Sequence, residues 1–79
     1  MKIEVLFFAA GRDIIGKSRL DIEVKEGESA SGVLKKVQAD YEDFLNMPLM
    51  LAVNEEYVPN DYKLKEGDVL ALIPLVSGG

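Results

Sequence analysis

Hydrophobic and polar positions alternate from the first residues of the chain. Ile3, Val5 and Phe7 fall on one side and Glu4, Leu6 and Phe8 on the other, so Lys2 to Ala9 predicts a strand. Its second face is polar only at Glu4. Leu6 and Phe8 are unusually apolar for a solvated surface. Leu20, Ile22 and Val24 then alternate with Asp21, Glu23 and Lys25, the pattern of a half-buried strand. Between the two, Gly11 to Lys17 carries glycines toward both ends around Arg12-Asp13 and predicts a loop, which makes the strands an antiparallel hairpin.

After Glu26-Gly27-Glu28 the pattern becomes helical. Ser29 is placed to cap a helix through its hydroxyl. Ala30, Val33, Leu34, Val37 and Tyr41 share one helix face, and Lys35, Lys36, Gln38 and Asp40 fill the other. Gly32 in the first turn costs about 1 kcal/mol against alanine. Met50 to Val53 predicts a short strand, Asn54-Glu55-Glu56 a turn, and Tyr57-Val58 a return strand stopped by Pro59. Glu66-Gly67-Asp68 turns the chain into Val69 to Ile73, apolar at every position. Such a run predicts a strand covered on both faces, at the centre of the sheet. The order strand, strand, helix, strand, short strand, strand describes an α+β roll of the ubiquitin type, a mixed sheet of about five strands crossed by one main helix. Other small α+β folds share much of that order.

Composition narrows the chemistry. The chain has 79 residues, one domain, with no cysteine and no histidine. Disulfides, thiolate zinc sites, cysteine nucleophiles and Ser-His-Asp triads are therefore excluded, and a transition-metal site is disfavoured. Nine basic against fourteen acidic residues give a net charge of −5. That charge argues against nucleic acid and against an anionic membrane surface, and suits an electropositive protein partner. No apolar run is long enough to span a bilayer, and the opening Met1-Lys2-Ile3-Glu4 is no secretory leader. A cytoplasmic location is the expectation.

The last residues are the most informative. Val76-Ser77-Gly78-Gly79 follow the final strand without polar padding, and Pro74 helps end the ladder because it has no N–H. A terminal glycine pair arises by chance about once in 200 chains. A frayed tail is the plain reading. The more specific one is a thread thin enough for a narrow channel, because glycine has no Cβ. Its terminal carboxylate can attack the α-phosphate of ATP to give an acyl adenylate, which sulfide, a thiol or an amine can then take. A chain without cysteine can carry sulfur in this way, as a thiocarboxylate on its own end.

Four segments together are distinctive: Leu6-Phe7-Phe8-Ala9-Ala10-Gly11-Arg12-Asp13-Ile14-Ile15-Gly16, Ala52-Val53-Asn54, Glu66-Gly67-Asp68-Val69, and Pro74 with Val76-Ser77-Gly78-Gly79. In order, spacing and total length the whole chain resembles the MoaD/ThiS sulfur-carrier family, on its MoaD side. Leu75 stands where the family often has a second proline, and Leu72-Ile73 replace a frequent Phe-Phe. Both swaps keep the strand apolar.

The resemblance implies a β-grasp domain over 1–75 and a Gly-Gly tail over 76–79. It implies that a ubiquitin-activating-like adenylyltransferase activates Gly79, which becomes a thiocarboxylate, with Gly78 completing the thread. ATP and zinc belong to that enzyme; this chain binds no cofactor and is no enzyme alone. Two carriers would dock on the dimeric large subunit of molybdopterin synthase and pass sulfur to cyclic pyranopterin monophosphate. An exposed apolar patch would serve both partners, with Phe8, Tyr57 and Ile73 at the matching positions and Val76 and Ser77 beside it. Ordinary core is the alternative for those three.

Arg12, Lys17 and Arg19 read as solvated loop or strand positions that are able to meet an acidic partner. Asp40, Glu42 and Asp43 cluster after the helix without a base, nucleophile or metal partner nearby in sequence. Three further functions fit the tail or the fold: a carrier for thiamin or tRNA thiolation, a ubiquitin-like modifier joined to lysines through Gly79, and a plain binding domain. Length and the Phe7 to Arg12 opening favour the molybdopterin carrier over the thiamin one.

Overall fold

The computed structural model describes residues 1–75. The strands are β1 (Lys2–Phe7), β2 (Arg19–Glu23), β3 (Leu49–Val53), β4 (Glu56–Tyr57) and β5 (Val69–Pro74); the helices are α1 (Ala9–Ile15) and α2 (Ala30–Asp40), with a 3-10 turn at Glu42–Phe44. They form one sheet in the order β2-β1-β5-β3-β4. β1 runs parallel to β5 and the remaining neighbours are antiparallel, so the sheet is mixed. This is the ubiquitin-like α+β architecture that the element order predicts, with β5 at its centre.

Register explains which residues make the core. Val5, Leu70 and Val53 lie side by side across three strands, as do Phe7, Leu72 and Leu51. All six are buried on the inner face. Ala30, Val33 and Val37 of α2 and Phe44 of the 3-10 turn close that face. The helix starts as its sequence prescribes: the Ser29 hydroxyl accepts the Gly32 N–H at 3.0 Å. A Cβ at Gly32 would stand 2.7 Å from the Glu28 carboxyl carbon, so a larger residue there requires that flexible side chain to swing aside.

Three expectations change. The segment after β1 is helical where a loop was predicted: α1 covers Ala9–Ile15, and Gly16, at φ 79°, closes it with an N–H to Arg12 carbonyl bond of 2.8 Å. The second glycine of the supposed loop is thus a left-handed helix cap, and Gly11 is a buried helical residue. β1 and β2 still pair antiparallel, through this helix. Second, β5 is covered on one face only. Leu70, Leu72 and Pro74 are buried, whereas Val69, Ala71 and Ile73 are half-buried on the open side. Third, Pro74 ends β5 without ending the pairing, since the Leu75 N–H donates to the Pro48 carbonyl at 2.9 Å.

Candidate functional site

The open face of the sheet holds the site. Successive side chains of a strand point to opposite faces, so the residues that skip the core assemble on this side. One row runs across four strands: Leu6 beside Ala71, Ala71 beside Ala52, and Ala52 beside Tyr57. Ile73 pairs with Met50 in the next row, and Phe8 follows the last paired residue of β1. Two alanines in the middle and large side chains at the ends make a hollow. It encloses about 640 Å³ and takes in Phe8, Tyr57 and Ile73. Phe8 is 44% exposed and Tyr57 66%. Neither is core. Ile73 is half-buried, on the face opposite Leu70 and Leu72.

The structure thus brings together all three apolar residues that the sequence singled out. Val76, Ser77, Gly78 and Gly79 lie outside the described residues. Val69, Ala71, Ala52, Met50 and Leu6 belong to the same face, but sequence reading did not single them out as site residues. Leu6 had a signal in its apolar character on a face expected to be solvated. Val69 and Ala71 had none separate from the continuous apolar run that also makes a buried strand.

Asn54 and Glu55 bound one end of the hollow. Both have positive φ, 51° and 72°, as a two-residue hairpin turn between twisted strands requires. Asparagine visits this region more readily than most residues, and here it is also bonded on several sides. Its N–H donates to the Val69 carbonyl at 2.9 Å, its Oδ1 accepts the Val69 N–H at 3.0 Å, and its Nδ2 donates to Asp68 Oδ1 at 3.0 Å. The other Asp68 oxygen accepts the Lys65 N–H at 2.8 Å. This network fixes the β3–β4 hairpin, and with it Tyr57, against the start of β5.

The remaining candidates stay apart from the hollow. Arg12 is exposed on α1 rather than in a loop, and Lys17 is exposed. Arg19 reaches Glu4 at 3.8 Å across an exposed strand pair. Such a pair contributes little, about 0–1 kcal/mol. Asp40, Glu42 and Asp43 are exposed at the end of α2 and in the turn that follows. Among the described residues no three His, Cys, Asp or Glu side chains are placed to hold a metal, and no helix is long and apolar enough to cross a membrane. The hollow offers apolar contact and a polar edge. Exposed apolar hollows of this kind suit contact with another protein surface.

A mixed five-stranded sheet over one main helix, with an apolar hollow on its uncovered face, defines a small ubiquitin-like β-grasp domain. Within that class the chain belongs to the ThiS family, whose model matches residues 5–79. It is 36% identical, over 83 aligned residues and the full length of both chains, to a molybdopterin synthase sulfur carrier subunit of Chlamydomonas reinhardtii. Its structure matches a Pyrococcus furiosus protein described as molybdopterin converting factor, subunit 1, with a TM-score of 0.88 and 29% identity over 96% of this chain and 99% of that one. A Helicobacter pylori complex of subunits 1 and 2 of the molybdopterin-converting factor contains a match with a TM-score of 0.68 and 26% identity over the full length of both chains.

Proposed function

We propose that this chain is the sulfur-carrying small subunit of a molybdopterin synthase. The observation that carries the reading is the open sheet face, where Phe8, Tyr57 and Ile73 share one apolar hollow on the sheet whose central strand leads toward the C-terminus. The full-length likeness to sulfur carrier subunits of that synthase supports it.

In this reading the chain has two working parts. The sheet face docks, first on an adenylyltransferase and then on the synthase large subunit, as a heterotetramer of two small and two large subunits. The tail reacts. The Gly79 carboxylate attacks the α-phosphate of ATP, forming an acyl adenylate and releasing pyrophosphate. A sulfide-level sulfur then displaces AMP and leaves a thiocarboxylate. In the large subunit the thiocarboxylate sulfur replaces an oxygen substituent of cyclic pyranopterin monophosphate, a C–S bond forming as a C–O bond breaks, and water then cleaves the resulting thioester, leaving the sulfur on the pterin and returning Gly79 as carboxylate. Two carriers deliver the two sulfurs of the molybdopterin dithiolene. Val76 and Ser77 are assigned to partner contact, and Gly78 to the thread that ends at Gly79. ATP and zinc are handled by the adenylyltransferase, and the reaction is expected in the cytoplasm.

The test is reconstitution. Thiocarboxylated chain mixed with the synthase large subunit and cyclic pyranopterin monophosphate is expected to yield molybdopterin in proportion to the thiocarboxylate consumed. Binding without conversion, or conversion by unmodified chain, contradicts the reading.

A further inference from the structure

Gly11 sits where three parts of the molecule meet. It is buried on α1, and its N–H donates to the Phe8 carbonyl at 2.9 Å. A Cβ on it would stand 3.3 Å from Cε1 and 3.4 Å from Cζ of Phe44, and 3.9 Å from Cγ of Pro74. The Phe44 ring is the neighbour that would have to give, by a few tenths of an ångström. It is fully buried, with its centroid 6.0 Å from that of Phe7. Interiors packed at this density pass a displacement on rather than absorb it. A Cβ at position 11 therefore asks the ring or α1 to shift slightly, and a branched side chain asks for more.

What moves with α1 is Phe8. Its backbone is extended, at φ −130° and ψ 152°, and its carbonyl accepts from Arg12 as well as Gly11. The next residue, Ala9, has φ 48°, a conformation that costs a non-glycine residue energy and persists only where its surroundings impose it. The bend that turns Phe8 onto the open face is thus held by the seating of α1. Near the same Cβ position lies Pro74, the last residue of β5, one residue before Leu75, which is itself bonded to Pro48. Position 11 thus lies between the bend that carries the exposed aromatic ring and the end of the central strand.

We propose that Gly11 is a positioning residue for docking: its missing side chain, matched to the Phe44 ring, holds Phe8 on the open face at a fixed place relative to the end of β5. The inference rests on the reading that this face docks on a synthase large subunit.

Four proteins test it: wild type, Phe8→Ala, Gly11→Val and the double variant Gly11→Val/Phe44→Leu. Each is titrated against the large subunit, at a temperature where circular dichroism shows it folded, and its amide NMR spectrum is recorded alone. Gly11→Val is expected to weaken binding about tenfold or more and to shift the Phe8, Ala9 and Leu75 amides. Phe44→Leu, by making room, is expected to restore most of the affinity and those shifts while leaving thermal stability below wild type. That split between affinity and stability is one that a merely structural glycine does not produce. Folded Gly11→Val with wild-type affinity, while Phe8→Ala binds weakly, overturns the proposal and leaves the docking reading intact. Absence of wild-type binding removes the docking reading. The free-chain amides then decide the positioning claim, and an unshifted Phe8 in Gly11→Val overturns it.

Discussion

Asn54 and Asp68 brace each other at the end of the hollow, the Asn54 amide donating to the Asp68 carboxylate at 3.0 Å across fourteen residues of sequence. The bond does two things. It satisfies a buried carboxylate, and it holds a hairpin turn in a backbone region that side chains other than asparagine or glycine resist. Asn54→Ala is expected to destabilise the chain by about 2–4 kcal/mol, combining lost hydrogen bonds with left-handed strain. Asn54→Gly keeps the turn conformation and loses only the side-chain bonds, so it is expected to cost less. Urea unfolding of both variants checks the order; equal losses contradict the strain component.

Gly16 gives a cleaner backbone test. It caps α1 at φ 79° and nothing surrounds its Cβ position, so a substitution there meets strain and no clash. Gly16→Ala is expected to cost about 1 kcal/mol, lowering the melting temperature by about 4–8 °C for a domain of this size. Calorimetry reads it directly.

The two faces of β5 are expected to respond oppositely to charge. Ile73→Asp places a carboxylate on the open face, so the chain is expected to fold and to lose affinity for the synthase large subunit by about tenfold or more. Leu72→Asp puts the same group into the inner core, where an unpaired charge is strongly disfavoured, and is expected to unfold the protein. Circular dichroism with a binding titration separates the two. Unchanged affinity in folded Ile73→Asp removes that residue from the interface.

Much of this was legible in the sequence because the core obeys simple periods. Ile3, Val5 and Phe7 announced β1, and the spacing from Ala30 to Val37 announced α2. α1 was not legible. Its seven residues include Gly11, and glycine lowers helix propensity. Its true signals were local: alanines at the start and a glycine placed to close the last turn. Val69 and Ala71 misled for a different reason. An apolar position predicts removal from water, and removal by a helix layer or by a partner protein leaves the same residues in the sequence. Phe8, Tyr57 and Ile73 were marked through family resemblance, whereas the Asn54–Asp68 brace needed the fold to bring the two together.

Gly79 carries the chemical claim. A chain lacking it is expected to melt at the wild-type temperature and to form no thiocarboxylate. Sulfur transfer by the truncated chain removes the terminal-carboxylate mechanism.

The most direct measurement is the intact mass of the chain after incubation with an adenylyltransferase of the ubiquitin-activating type, ATP and a sulfide-level sulfur source. Replacement of one oxygen by one sulfur, mapped to Gly79 by fragmentation, is the predicted result. A mass increase matching a protein joined through Gly79 favours a modifier instead, and an unchanged mass with a competent enzyme contradicts the sulfur-carrier account.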